Sequence, residues 1–336
     1  MSIQESTSTE EPMSAEEKAD AADSGGEAVV WRDGAFIPYS QATTHVMSHM
    51  SARGSQVFDV IIVADNDDGP SALGLRQHVA RFVRSAELMG MENPGSVGAL
   101  ETAVAATVMA NVSGPEAPLA PGPMIVKMIA AWADEGVGIT PATLTPTVFI
   151  VVTPYDSPTP FGRLAQPIKV KTAPMPKIPA SVLPPSIKVA AAYTPGIRHH
   201  LAAEKEGFDH VLFRTQSGDL AESVTSSVLV VSGGRILAPP VDTVLDGITR
   251  RVVLDAAQYI DVPNDIRPVS WDEVLAADEL LLTSTVKAVV PFGRLDDQRF
   301  DAPGPVSTKL AEVLSAIETG RHELSGRWMT PLAPLV

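Results

Sequence analysis

No cysteine occurs anywhere in the 336 residues. That absence removes disulfide frameworks, thiolate metal sites and cysteine nucleophiles together. Aromatic side chains are also scarce, with four Trp, four Tyr and nine Phe, so aliphatic side chains and Ala must fill any core. Apolar residues nevertheless make up 45% of the chain, enough for one large or two ordinary domains. Positive charge is short: 25 Lys and Arg stand against 40 Asp and Glu, a formal net charge of −15. Nucleic acids and anionic membrane surfaces need a basic footprint, so neither is an expected partner. No uninterrupted apolar run approaches the ~20 residues of a membrane-spanning helix. The N-terminus has no basic segment followed by an apolar one, so no secretory signal is predicted and the expected location is the cytoplasm.

Residues 1–27 are mostly Ser, Glu, Ala and Thr. Such a stretch buries too little surface to offset its ordering entropy, so a disordered acidic tail is predicted. Order is expected from about Val29. In AVVWRDGAFIPY the pair Asp33-Gly34 predicts a tight hairpin. VFDVIIVA (57–64), MIVKMIAAW (124–132) and TVFIVVTPY (147–155) predict buried strands. Leu75, Val79, Phe82, Val83, Ala86 and Met89 recur at helical spacing and leave Arg76, Arg81 and Arg84 off the apolar stripe. Proline is dense from Pro154 to Pro185. Residues 166–187 are therefore predicted to be a stiff connection between an N-terminal α+β domain (28–165) and a C-terminal α+β domain (188–336).

In the second half, Thr194 is predicted to cap a helix with Pro195 at its first position and Gly207 as its stop. VLFRT, LAESVTSSVLVV and RILAPP, separated by QSGD and SGG, predict a meander of strands. ITRRVVLDAAQYI predicts an amphipathic helix, Ser270 with Glu273 a capping box, LLLT (280–283) a strand, and VSTKLAEVLSAIE a closing helix ended by Gly320.

Short motifs add little on their own. The chain has no P-loop, no GxGxxG after a strand, no HExxH and no GxSxG. His199 and His200 are adjacent, point to different sides of a helix and are predicted to be solvated. Asp65, Asp67 and Asp68 lack the later ligands of a calcium loop and are predicted to form a charged turn. No metal site is expected.

The ordered set of residues from Lys188 to Arg250 is more specific. A lysine is followed five positions on by Tyr193. An LA-containing helix, a strand carrying Glu222 and the segment LDGITR (245–250) come next. This stretch resembles the signature region of fold-type IV pyridoxal-phosphate enzymes. WRDG (31–34), GSQVFD (54–59), LRQHVARF (75–82), ADELLLTST (277–285), GPVSTK (304–309) and Trp328 extend the likeness over nearly everything after the tail. Within that fold type the chain resembles the branched-chain aminotransferases.

The resemblance implies a two-domain α+β fold, pyridoxal 5'-phosphate as cofactor, and an amino acid and a 2-oxo acid as substrates. It also implies a homodimer, with a loop around Arg53 completing the partner's site. Lys188 corresponds to the lysine that anchors the cofactor and shuttles the substrate's proton; such an amine works best with a lowered pKa. Glu222 corresponds to the carboxylate beside the pyridine nitrogen, and Tyr193 to the partner of the phenolic oxygen. Arg81 corresponds to the phosphate arginine, whose planar fork suits a dianion. Gly247, Ile248 and Thr249 open a helix straight after a loop, where bare N–H groups make an anion site. Ser284 and Thr285 correspond to the pair that closes the phosphate site. Thr285 and Val286 would offer backbone donors to the substrate carboxylate, and Phe58 would line the substrate pocket.

The substrate set departs from the family. Val189, Ala190, Ala191 and Ala192 replace the usual Gly and Asn, and Thr225-Ser226-Ser227 replaces Gly-Glu-Asn. Arg53 stands where an aromatic often does, and Lys127 where an arginine often does. The two cations suit either a substrate with a second polar or acidic group, or solvent and a dimer interface. A pyridoxal-phosphate lyase, a D-amino acid transaminase and a catalytically silent binding paralogue are the alternative readings.

Overall fold

A computed structural model describes residues 26–157 and 161–332. All but the last two residues of the predicted tail lie outside the described residues. The first elements among the described residues are β1 (Val29–Arg32) and β2 (Ala35–Pro38), joined at Asp33 and Gly34, with φ of 46° and 97°. Positive φ at both central residues is the requirement of a type I′ two-residue hairpin turn. A short helix, α1 (His49–Arg53), is capped by the Ser48 side chain and stopped at Gly54. Next come β3 (Val57–Asn66) and β4 (Gly69–Leu73), then α2 (Leu75–Leu88) and α3 (Val97–Val112), and then β5 (Met124–Ala131) and β6 (Thr147–Pro154). Of the predicted charged turn, Asp67 and Asp68 form the link between β3 and β4, while Asp65 is already within β3.

These strands form an antiparallel sheet in the order β4-β3-β5-β6-β1-β2. Helices α2 and α3 cover one face, where Ile61, Val63, Val79, Phe82, Leu100, Val104, Val108, Val126 and Met128 form a core. Helix α3 was not predicted, because its exposed face carries Gly98, Ala99, Ala106 and Ala110, which hide its buried stripe. The Asn111 side chain both accepts from Val29 N and donates to Val29 O, each at 2.9 Å, tying α3 to the start of β1.

The second sheet begins inside the stretch predicted to be a connection. There β7 (Ile168–Thr172) lies parallel to strands on both sides. Helix α4 (Thr194–Lys205) and strands β8 (His210–Arg214), β9 (Leu220–Ser223), β10 (Ser227–Ser232) and β11 (Arg235–Ala238) follow. The predicted cap at Thr194 does not form: a 3₁₀ turn over Ala190–Tyr193 runs straight into α4, so Thr194 is already helical. The predicted strand LAESVTSSVLVV is broken at Val224, Thr225 and Ser226. His199 and His200 are half-buried rather than solvated, their rings facing Phe213 and His210.

The remaining elements are α5 (Ile248–Tyr259), β12 (Asn264–Ile266), α6 (Trp271–Leu275), β13 (Glu279–Ser284), β14 (Lys287–Leu295), β15 (Gln298–Arg299), α7 (Pro305–Glu318), α8 (Ser325–Trp328) and β16 (Met329–Pro331). The Ser270–Glu273 capping box is present at α6. The second sheet runs β12-β11-β10-β13-β14-β7-β8-β9, with β15 beside β14, and β16 returns to the first sheet next to β4.

One core joins the two sheets: Ile62 and Leu73 of the first pack in one cluster with Leu229 and Leu281 of the second, together with Ile248 and Val252 of α5, Leu310 and Leu314 of α7, and Trp328 of α8. At its edge Gly74, with φ of 60°, donates its N–H to Trp328 O. A Cβ on Gly74 would lie 2.8 Å from Ile248 Cγ2. Only glycine fits both the conformation and the space. That close approach sets the start of α2 against the start of α5, and with it the two elements expected to hold an anion.

Candidate active site

A cavity of about 420 Å³ opens between helix α2, the proline-rich segment and the second sheet, lined among others by Arg81, Lys188, Tyr193, Glu222, Gly247–Thr249, Ser284 and Thr285. Most of the residues predicted from sequence thus meet in one place, although they come from distant segments of the chain.

Lys188 is pinned by its backbone. Its N–H donates to Ser85 Oγ on α2 at 3.1 Å, and its carbonyl accepts from Phe58 N on β3 at 3.1 Å. Its Nζ donates to Tyr193 Oη at 2.7 Å and stands 4.7 Å from the centre of the Phe58 ring. Burial, and then the Arg81 charge, push the ammonium down from 10.5 to about 8, against the pull of Asp59 and Glu222. A depressed lysine is what nucleophilic and proton-transfer chemistry needs. Burial, and then Glu222, raise the Tyr193 phenol, so its proton stays in place.

Arg81 is less exposed than its place off the apolar stripe implied. Its Nε and Nη2 both reach Asp59 at 2.8 Å, and Nη1 reaches the Asp246 carbonyl at 2.9 Å. Asp59 is fully buried on the face of β3 turned towards α2. Burial alone would raise its carboxyl, but the Arg81 guanidinium and the His78 ring outweigh that and hold it well below the carboxylate range. His78 Nδ1 lies 2.6 Å from Asp59 Oδ1, and burial lowers the ring's proton affinity, so it is neutral. The nearby carboxylate makes Nδ1 the protonated nitrogen. Arg81 is therefore aimed by a buried carboxylate, with N–H capacity left on both Nη atoms.

Arg81 points across to the start of α5. Gly247 precedes this helix with no side-chain cap, so its first N–H groups are unclaimed by any capping side chain. Thr249 is buried, and its Oγ1 has no hydrogen-bond partner among the described residues. A Cβ on Gly247 would meet Ser227 Oγ at 2.7 Å. Bare helix N–H groups, an orphaned hydroxyl and a guanidinium form a cradle for a phosphate dianion. Elsewhere in the cavity lining, Glu222 Oε2 accepts from Leu245 N at 3.1 Å, and Oε1 lies 2.5 Å from Lys177 Nζ. This donor and acceptor set fits pyridoxal 5'-phosphate at each of its polar ends.

The predicted substrate residues are more scattered. Phe58 lies beside Lys188 and 5.3 Å from the Tyr193 ring, and Lys127 Nζ stands 5.5 Å from the centre of the Phe58 ring. Val286 gives its carbonyl to the Tyr155 hydroxyl, which holds the turn after Thr285. Arg53 is exposed and donates to the carbonyls of Val137 and Ala52. Asp59, His78, Tyr155 and Lys177 were not among the predicted site residues. A lone Asp inside the apolar run VFDVIIVA, and a His three residues before Arg81, were the available signals for the first two. Nothing in the proline-rich segment marked Lys177.

Residues 56–295 match the family described as amino-transferase class IV. The branched-chain-amino-acid aminotransferase of Pseudomonas aeruginosa is 27% identical over 304 residues, 90% of this chain and 96% of that protein. Among solved structures, the branched-chain aminotransferase of Thermoproteus uzoniensis with norvaline shares the fold. It has a TM-score of 0.83 at 24% identity and covers 91% of this chain and 100% of that one. A T.th. branched-chain amino acid aminotransferase complexed with N-(5'-phosphopyridoxyl)-L-glutamate also has a TM-score of 0.83. It is 26% identical and covers 92% of this chain and 100% of that one.

Proposed function

The chain belongs to the class IV aminotransferases, and from that footing we propose that it moves an amino group between an α-amino acid and a 2-oxo acid at Lys188. The observation that carries this reading is the Lys188 amine, depressed to about 8 and bonded to Tyr193 Oη, facing the cavity that Glu222 and the start of α5 also line. Branched-chain amino acids are the nearest substrates by analogy, as the names of its relatives indicate.

When bound, pyridoxal phosphate supplies the electron sink that lets a proton leave the amino acid's α-carbon. Lys188 would anchor the cofactor, and its neutral amine would take the proton from that carbon and return it. Glu222 would hold the ring nitrogen in its protonated state, and Tyr193 the phenolic oxygen. The remaining N–H groups of Arg81, the start of α5, Thr249 Oγ1, Ser284 and Thr285 would hold the phosphate. Phe58 and the backbone at Thr285 and Val286 would orient the substrate. Lys127, beside Phe58, is the better placed of the two cations for a substrate's polar group, since Arg53 is engaged by Val137 O.

The proposal extends to a cytoplasmic homodimer. Val46, Met47, Val137 and Ile139 are 75%, 43%, 81% and 79% exposed, and the N–H of Gly136 on Met47 O holds their two loops together. An apolar patch of this kind suits a subunit contact. Among the described residues no helix is long and apolar enough to cross a membrane.

The test is to reconstitute the protein with pyridoxal phosphate, record its visible absorption before and after borohydride, and map the reduced adduct. An adduct on Lys188, together with turnover of amino donors that requires a 2-oxo acid, is the expected result. Turnover without a 2-oxo acid would point to a lyase. An adduct elsewhere, or none, would sink the assignment.

A further inference from the structure

Glu222 does not stand alone at its end of the cavity. Lys177, from the proline-rich segment ahead of Lys188, places Nζ 2.5 Å from Glu222 Oε1 and donates to Thr243 O at 3.1 Å. The other carboxylate oxygen accepts from Leu245 N at 3.1 Å. Pro176 and Pro179 bracket Lys177, and its own N–H bonds to Arg214 O at 2.9 Å. The lysine therefore ties three segments at one carboxylate: its own, strand β9, and the loop that leads into Gly247. Both side chains are largely buried, at 21% and 14% exposure. A pair this close and this shielded is screened far less than a surface salt bridge.

We propose that Lys177 is a positioning residue that fixes the Glu222 carboxylate and partly neutralises it, and so sets how strongly the site holds a proton on the cofactor's ring nitrogen. The proposal rests on reading Glu222 as the ring-nitrogen carboxylate. Lys177 tempers an electron sink that an unpaired carboxylate would drive harder. Among the described residues, Lys188 and Tyr193 from around the 3₁₀ turn and Arg250 from α5 also feel the Glu222 charge. Without Lys177, the full Glu222 charge acts on all of them. The Lys188 ammonium, already pulled towards its charged form by Glu222, is then better stabilised.

The experiment compares wild type with K177M, K177R, E222Q and K177M/E222Q, each as apoprotein and after reconstitution with pyridoxal phosphate. Two readouts are independent of turnover: thermal stability of the apoprotein against pH, and the pH at which visible absorption of the reconstituted protein changes. In K177M the Lys188 ammonium is better stabilised in the folded state, so the variant's stability deficit grows as pH rises from about 8 towards 10.5, where that relief is lost. The spectral transition moves up by about one pH unit. K177R restores both, and K177M has no further effect on either profile once Glu222 is Gln. If E222Q shifts the spectral transition but K177M does not, the Lys177 proposal fails and the Glu222 assignment stands. If E222Q leaves the transition and cofactor affinity unchanged, the assignment and the proposal fall together. An effect of K177M that is equal in the E222Q background is merely structural and also overturns it.

Discussion

Arg81 meets Asp59 through two parallel hydrogen bonds, Nε to Oδ2 and Nη2 to Oδ1, each at 2.8 Å. The pair crosses from α2 to β3, and the third bond of the guanidinium reaches Asp246 O in the loop before α5. One arginine thus links the first sheet to the phosphate cradle, and a buried carboxylate decides where it points. Bidentate geometry of this kind adds direction as well as energy.

Asp59→Asn tests that link. The amide offers one acceptor instead of two and no charge, leaving a buried guanidinium poorly compensated. Breaking one partner of a buried pair typically costs ~3–5 kcal/mol. We expect apoprotein stability by urea denaturation to fall by about that amount, and the dissociation constant for pyridoxal phosphate to rise at least ~10-fold. Retention of wild-type cofactor affinity would show that Arg81 is aimed by something else.

Lys188 carries a stability cost that depends on pH. Its folded pKa is about 8 against an ordinary 10.5, so the folded apoprotein disfavours the ammonium while the unfolded chain does not. The cost is fully present below about 8 and disappears as pH rises towards 10.5. K188M removes the charge, so the variant apoprotein should be more stable than wild type at neutral pH, by roughly 1–3 kcal/mol. The gap should close between the two values. A gap that stayed constant across that window would argue against a buried, depressed amine.

Gly74→Ala probes the junction of the two sheets. The new Cβ meets Ile248 Cγ2 at 2.8 Å on a residue with φ of 60°. A strained backbone and a displaced α5 start should together cost ~1–3 kcal/mol. Because the displaced atoms adjoin Gly247 and Thr249, inorganic phosphate and pyridoxal phosphate should both bind more weakly. Gly90→Ala, with nothing within 4 Å of the added Cβ, is the control that should lose stability without losing phosphate binding.

The two cations outside the cofactor set make opposite predictions. Lys127 stands over Phe58, whereas Arg53 donates to backbone carbonyls at the surface. In steady-state kinetics, K127M should reduce kcat/KM for a dicarboxylic donor such as glutamate about tenfold more than for leucine, a difference of ~1.4 kcal/mol in transition-state binding. R53M should change the two donors alike. The reverse pattern would assign selectivity to Arg53.

Much was legible along the chain because it depends on neighbours in sequence. The Asp33-Gly34 hairpin, the α2 stripe, the Ser270–Glu273 capping box and the stop at Gly320 follow from local backbone preferences and periodicity. Family likeness added Lys188, Tyr193, Glu222 and Gly247–Thr249, all of which line the cavity. Other features depended on what lies opposite. Alanines on the exposed face concealed α3, and β7 read as linker because its partners, β8 and β14, are about 40 and 120 residues away by the register pairs Val170–His210 and Leu295–Val170. Asp59, His78 and Lys177 are ordinary residues in sequence. Only the packing of β3 against α2, and of the proline-rich segment against β8, brings them to Arg81 and Glu222 as shielded partners. The amino-acid sequence determined which chemical groups the protein carries and which short segments would turn, coil or extend. The tertiary structure alone decided which charges lost their water and found a partner, because burial and Coulomb attraction act through space rather than along the chain.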